Sequence, residues 1–160
     1  VDRVRLVPRL RLPRYRYVPG LQTHPFRNPD GHAAPEDDAF RTHRDWWRDE
    51  RYLYGVDLVN ARFFWEAHEV WEGRWRDLAA DDVERFLLQG LIQGAASRLK
   101  RHMGQPRQAE RLWTRAQEHL GRVRAAVGTT AYGLDLDDVV RTFARDPWPS
   151  LTPTLPLESP

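Results

Sequence analysis

Cysteine is absent from this sequence, lysine occurs once, as Lys100, and no apolar run approaches the length of a membrane span. Without cysteine there is neither a disulfide framework nor a thiolate metal site. A membrane-crossing helix needs about 18 or more consecutive apolar residues. The opening VDRVRLVPRL alternates arginine with apolar residues and lacks the continuous apolar core of a secretory signal. The expectation is a cytoplasmic protein with no membrane partner.

The basic residues that are present are almost all arginine. The net charge is only +2, but seven arginines (Arg3, Arg5, Arg9, Arg11, Arg14, Arg16, Arg27) precede Gly31, against Asp2 and Asp30. Interleaved with Tyr15 and Tyr17, this basic arm has the chemistry to bind phosphates. The plainer reading is an arm that is solvated or folded back on acidic helix faces. Nucleic acid is therefore a partner the arm admits but not the favoured one. At 160 residues the chain is one domain's worth, long enough to bury a core without staples.

Proline organises the ends. Six prolines between positions 8 and 35 forbid a helix there and favour extended chain with turns. After Asp146 the chain turns proline-rich again. The expected organisation is an arm over residues 1–35, a helical domain over 36–146 and a tail over 147–160. Within the helical domain a first helix is expected from Glu36 to about Tyr52, with Gly55 as the break. A second, aromatic-rich helix runs roughly from Asp57 to Leu78. Asp81 or Asp82 caps the third, which runs to about Met103 with Gly104 as its stop. Pro106 suits the first turn of a fourth helix, with Ala109, Leu112, Trp113, Ala116, Leu120 and Val123 at helical spacing. Gly128 ends it, and Asp135 begins a short fifth helix with Val139, Val140 and Phe143 inward. The fold class is all-α: a compact bundle of four to five helices with an extended Pro/Arg-rich N-terminal arm.

The second helix carries the candidate chemistry. At about 100° per residue, Ala61, Phe64, Trp65, Trp71, Glu72 and Trp75 fall within about 60° of His68. Val56, Val59, Phe63, Ala67 and Val70 form a second apolar stripe. Arg62, Glu66, Glu69, Gly73 and Arg76 remain in a polar wedge. This arrangement expects His68 and Glu72 inward, and Glu66 near the surface, paired with Arg62. A carboxylate among tryptophans must be paired, hydrogen-bonded or protonated. One outcome is a structural His68–Glu72 contact at i, i+4 with Arg76 or another arginine satisfying the rest. The other is a ligand, metal or acid–base site in the bundle interior. The string His68-Glu69-Val70-Trp71-Glu72 is similar to the zincin H-E-x-x-H, with glutamate in the second histidine's place and no third ligand nearby. On the third helix Gln89 and Gln93 share a face that continues to Ala96 and Lys100. If that face meets the second helix, the two amides join His68 and Glu72 in a buried polar network. Gly90, Gly94 and Ser97 form a small-residue stripe that reads as close packing.

Three stretches carry a family resemblance: GVDLVNARFFWEAHEVWEGRW, then RFLLQGLIQGAASRLK with Gly104 following, and YRYVPGLQTHPFRNPDGH in the arm. Over roughly residues 15 to 125 the chain resembles the family known as domain of unknown function 309, widespread in bacteria with archaeal and plastid relatives. The resemblance implies a small helical bundle and a set of characteristic positions: Glu66, His68, Glu69, Glu72, Trp75, Gln89, Gly90, Gln93 and Gly104. It implies no activity. Many members carry histidine in place of Lys100 and asparagine in place of Gln105, which weakens a metal reading through those positions. It also draws attention to His24 and His32. They sit in H-P-x-x-x-P-x-G-H, a bend that can return them to the helix as further metal ligands.

Three functions follow. The favoured one is a bundle with a polar site, His68 and Glu72 with Gln89 and Gln93, that binds a small ligand or a divalent metal. Its sharper form is a metal-dependent hydrolase, with His24, His32, His68, Glu69 and Glu72 as the ligand pool and Glu69 or Glu72 as catalytic base. The second is a nucleic-acid-binding module using the arginine arm. The third is a scaffold, in which exposed Trp46 or Trp47 and the proline-rich tail contact a partner or a second copy of the chain.

Overall fold

The computed structural model describes residues 4–22, 39–145 and 150–157. In chain order these hold α1 (Glu50–Asn60), α2 (Phe64–Asp77), α3 (Val83–His102), α4 (Pro106–Val127), the strands β1 (Thr130–Ala131) and β2 (Leu134–Asp135), and α5 (Leu136–Ala144). The fold is the expected all-α bundle. α1 packs on α2, α2 on α3 and α3 on α4, while α5 closes against α3 and α4. No helix among the described residues is long and apolar enough to cross a membrane.

The later boundaries fall where their sequence signals place them. The Asp82 side chain caps α3 by accepting the Glu84 N–H at 2.8 Å. Gly104, at φ +71°, stops α3 in a left-handed turn, its N–H bonding to the Arg101 carbonyl and that of Gln105 to Lys100. Pro106 opens α4, and Asp135 caps α5. The small-residue stripe is packing, as expected. A Cβ on Gly90 would meet Leu120 of α4 at 3.0 Å, and one on Gly94 would meet Phe143 of α5 at 3.0 Å.

The first two helices differ from the sequence reading. Residues 39–49 form turns and irregular chain, so no helix runs from position 39 to Asp49; residues 36–38 lie outside the described residues. Asp49 caps α1 through the N–H groups of Arg51 and Tyr52, and α1 passes straight through Gly55. Gly55 is not a break but a seat. A Cβ there would lie 2.0 Å from Nε1 of Trp71, whose fully buried indole donates to the Tyr52 carbonyl at 3.1 Å. The expected aromatic helix is in turn divided at positions 61–63. The Phe63 N–H bonds back to Leu58 O and the Arg62 N–H to Val59 O, with Arg62 left-handed at φ +67°. That is the hydrogen-bond pattern of a Schellman stop. Arginine occupies the position that glycine usually marks, which is why composition alone runs the helix through.

Both ends of the described chain lie against the helices. The buried Asp57 carboxylate accepts the N–H groups of Leu6 and Val7 at 2.8 and 2.9 Å. Glu50 pairs with Arg9, Tyr54 donates to the Arg11 carbonyl at 2.7 Å, and Glu66 accepts the Tyr17 N–H at 2.8 Å. Arg5, Arg9 and Arg16 are thus engaged within the molecule, Arg16 through the Ala61 carbonyl, and the arm keeps Arg11 and Arg14 exposed. At the other end, Asn60 exchanges two 2.8 Å hydrogen bonds with the backbone of Leu151, and the Thr154 N–H reaches Gly133 O at 2.7 Å.

One arginine ties the elements together. Arg74 of α2 is 2% exposed. Its guanidinium pairs with Glu84 of α3 and with Asp49 at 2.7 Å, and donates to the carbonyls of His43 and Arg44 at 2.8 and 3.0 Å. Each of its nitrogens has an acceptor, so the buried charge is fully compensated.

Three substitutions test this account. Arg74→Met leaves the buried Glu84 without its cation and Asp49 with Arg51 alone, and is expected to cost roughly 3–5 kcal/mol in chemical denaturation; a loss below 1 kcal/mol would refute the keystone role. Gly55→Ala drives a methyl into Trp71 and is expected to cost roughly 3 kcal/mol or more. Gly121→Ala, in open space on α4, is expected to gain about 0.5–1 kcal/mol.

Candidate metal site on α2

The face that α2 buries is not centred on His68. Phe64, Ala67, Val70, Trp71 and Arg74 are the residues turned into the bundle, together with Glu66. Their mean direction lies about 110° around the helix from His68, at 100° per residue. With the stop at Arg62, Val56 and Val59 belong to α1, and the stripe through Ala67 and Val70 becomes the inner face. Trp75 stands at its margin, beneath the guanidinium of Arg85, while Trp65 lies on the far side of the helix, edge-on to Tyr17 of the arm.

The two carboxylate positions are therefore exchanged relative to expectation. Glu66 was expected at the surface beside Arg62; it is 3% exposed and anchors the arm through Tyr17. Burial pushes its carboxyl up to about 7, against the downward pull of the Tyr17 N–H and the Arg16 charge. His68 and Glu72, expected inside, stand on the shoulder of the bundle, with side chains 29% and 31% exposed. The site is half-buried rather than internal.

What α2 does bring together is a short ionic ladder. His68 Nδ1 lies 3.3 Å from Glu69 Oε1, and His68 Nε2 lies 3.2 Å from Glu72 Oε1. Arg76 follows one turn later, 3.2 Å from Glu72 Oε2. Burial pushes the His68 pKa down, but Glu69 and Glu72 more than reverse it, so it sits above the ordinary histidine value. Taking one ligand atom from each, His68, Glu69 and Glu72 lie within 4.8 Å of one another, the one such His/Asp/Glu group among the described residues.

The remaining expected participants divide. Gln89 and Gln93 are half-buried on α3, and Gln93 Oε1 is buried with no hydrogen-bond partner among the described residues. Neither amide bonds to His68 or Glu72 there, so the converging network is not formed. Lys100 is half-buried on the same helix. His24 and His32 lie outside the described residues. Trp46 and Trp47, expected as exposed, are half-buried, with Trp46 packed against the core.

Residues 52–112 match the model of a family described as Domain of unknown function (DUF309). No curated protein matches the chain. The DUF309 span contains most of α1, all of α2 and α3, and the start of α4, and with them His68, Glu69, Glu72, Gln89 and Gln93. Trp46, Trp47 and Tyr132 lie outside it. Sequence reasoning missed Glu66 and Arg74 as interior groups. Their signal was the spacing Ala67, Val70, Arg74, which becomes readable once the break at Arg62 is placed.

The buried groups of α2 predict a pH dependence in the presence of a chelator. Glu66 has a folded pKa of about 7 against 4.5 unfolded, so its ionisation cost is full above pH 7 and gone below pH 4.5. The favourable pairing of His68 is full below 6.5 and lost as pH rises through its folded value. Stability should therefore rise as pH falls from 8 to 5, by roughly 3 kcal/mol from Glu66. Below about pH 4 the trend reverses. Burial tends to raise the pKa of Asp49 and Glu50, but their arginine and backbone N–H partners hold both below the ordinary range. Glu66→Gln should remove most of the rise in urea titrations across pH; an unchanged slope would refute the assignment.

Proposed function

We propose that this protein binds a divalent transition-metal ion through His68, Glu69 and Glu72, on the outer shoulder of α2. The observation that carries this is the grouping of one nitrogen and two carboxylate oxygens within 4.8 Å. Ligands about 2.1 Å from a tetrahedral ion stand about 3.4 Å apart, and the His68–Glu72 separation of 3.2 Å is close to that. An imidazole with two carboxylates suits zinc, manganese, iron or nickel rather than a soft ion. The half-exposed position leaves water to complete the shell. Arg76 is the competing cation: its contact with Glu72 gives way when the ion binds.

The arrangement supports metal binding more than hydrolysis. If Glu69 serves as base, the ion keeps only His68 and Glu72. Glu66 cannot replace it, because it is buried on another side of the helix and holds the arm. Gln89 and Gln93, on the adjoining helix, are the groups that would meet a small ligand carried on the ion.

The test is calorimetry and thermal shift with Zn(II), Mn(II) and Ni(II) on protein bearing no histidine tag. One ion per chain is expected, with affinity at least tenfold weaker in His68→Ala and Glu72→Gln and unchanged in Glu66→Gln. Absence of binding, or equal binding by the His68 and Glu72 variants, would overturn the reading.

A further inference from the structure

A second feature lies away from α2's shoulder and mostly outside the DUF309 span. A cleft of about 580 Å3 opens between residues 42–47, the end of α2, the start of α3 and the turn at Tyr132. That volume falls within the range of small-ligand pockets. Its inner wall is the Arg74 network, whose charges are mutually compensated.

The outer wall is aromatic. Trp46 meets Trp47 edge-on, with centroids 5.6 Å apart and planes at 83°, and meets Tyr132 at 6.3 Å and 78°. Trp47 and Tyr132 thus each stand perpendicular to Trp46, and all three half-buried rings line one space. Trp46 and Tyr132 are held firmly. Tyr132 and Gly133 both have positive φ, +50° and +75°, forming the two-residue turn between β1 and β2. Tyr132 is not a glycine, so the turn holds backbone strain of the kind found at ligand clamps. Tyr52 donates its hydroxyl to the Tyr132 carbonyl at 2.9 Å. Trp46 rests where a Gly133 Cβ would come within 2.5 Å of its ring.

The charges around the rings are unequally occupied. Arg51 and Arg74 are taken up by Asp49, Asp77 and Glu84, while Arg44 stands exposed at the rim. Asp82 gives its side chain to the α3 N-cap, and among the described residues Asp45 pairs only with His43, at 3.7 Å. The Tyr132 phenol senses the outcome. Burial, then Glu84 and Asp82, push it up to about 12, more than Arg74 draws it down.

We propose that this cleft binds a small alkylammonium cation, seated against Trp46, Trp47 and Tyr132 and neutralised by Asp45 and Asp82. Perpendicular ring faces attract a cation through their quadrupoles, and quaternary ammonium groups are recognised by such aromatic walls. An anion would face the carboxylates, and a neutral apolar molecule would face a largely polar floor. The cation is free, as in choline, or is a methylated lysine side chain of another protein.

The test uses full-length protein, with isothermal calorimetry and tryptophan fluorescence. The probes are tetramethylammonium, choline, a trimethyllysine peptide, and 3,3-dimethylbutan-1-ol as the uncharged counterpart of choline. Binding of choline at least tenfold tighter than the alcohol is expected. Trp47→Ala and Asp82→Asn should each weaken it tenfold or more; asparagine still caps α3, so that variant keeps its fold. His68→Ala should leave it unchanged, which separates this site from the metal site. Preference for the peptide over choline would identify a protein partner as the source of the cation, and the reverse a free molecule. No response to any cation at 50 mM, or equal affinity for the alcohol, would overturn the proposal.

Discussion

A guanidinium in the middle of a bundle has to be matched group for group, and Arg74 is. Its acceptors come from two separate pieces of chain: the carbonyls of His43 and Arg44 with Asp49 before α1, and Glu84 on α3. Arg74 itself stands on α2, so one side chain registers the entry loop and two helices against each other. The geometry is demanding because a buried charge missing a partner costs several kcal/mol. The loop carrying Trp46 and Trp47 is placed by this requirement, and with it one wall of the cleft. Trp71, lying over Gly55, then sets how closely α1 and α2 approach.

The buried acids of α1 and α2 form a second set of constraints. Glu50, Asp57 and Glu66 receive Arg9, the N–H groups of Leu6 and Val7, and the Tyr17 N–H respectively. They fasten an arm that over the described residues 4–22 runs as turns and irregular chain, whose backbone groups would otherwise be left to water. This gives a reason for carboxylates in an interior. It also separates two glutamates that look alike in the sequence: Glu66 is an anchor of the arm, while Glu72 belongs to the ladder with His68 and Arg76.

Much of the architecture was legible because its signals are local. Asp82, Gly104, Pro106, Gly128 and Asp135 act within a turn of their own position, through caps, a missing N–H or a left-handed backbone. The stop at Arg62 was not legible, because a left-handed arginine is held by the surrounding packing and not by its own preference. That single displaced boundary rotated the reading of α2. It put His68 at the centre of the inner face and Glu66 outside, when Ala67, Val70 and Arg74 define the inner face.

The sequence alone determined the helical class, the later helix limits, the nearness of His68, Glu69 and Glu72 along one helix, and the absence of thiolate chemistry. These follow from period, capping and composition, which need no knowledge of distant residues. Only the tertiary structure decided that this trio stands at a half-exposed shoulder and that Glu66 is the buried acid. It alone brought Trp46 and Trp47 beside Tyr132, some 85 positions away by their numbers. Such placements depend on which face of each helix its neighbours cover, and no local pattern of side chains carries that information.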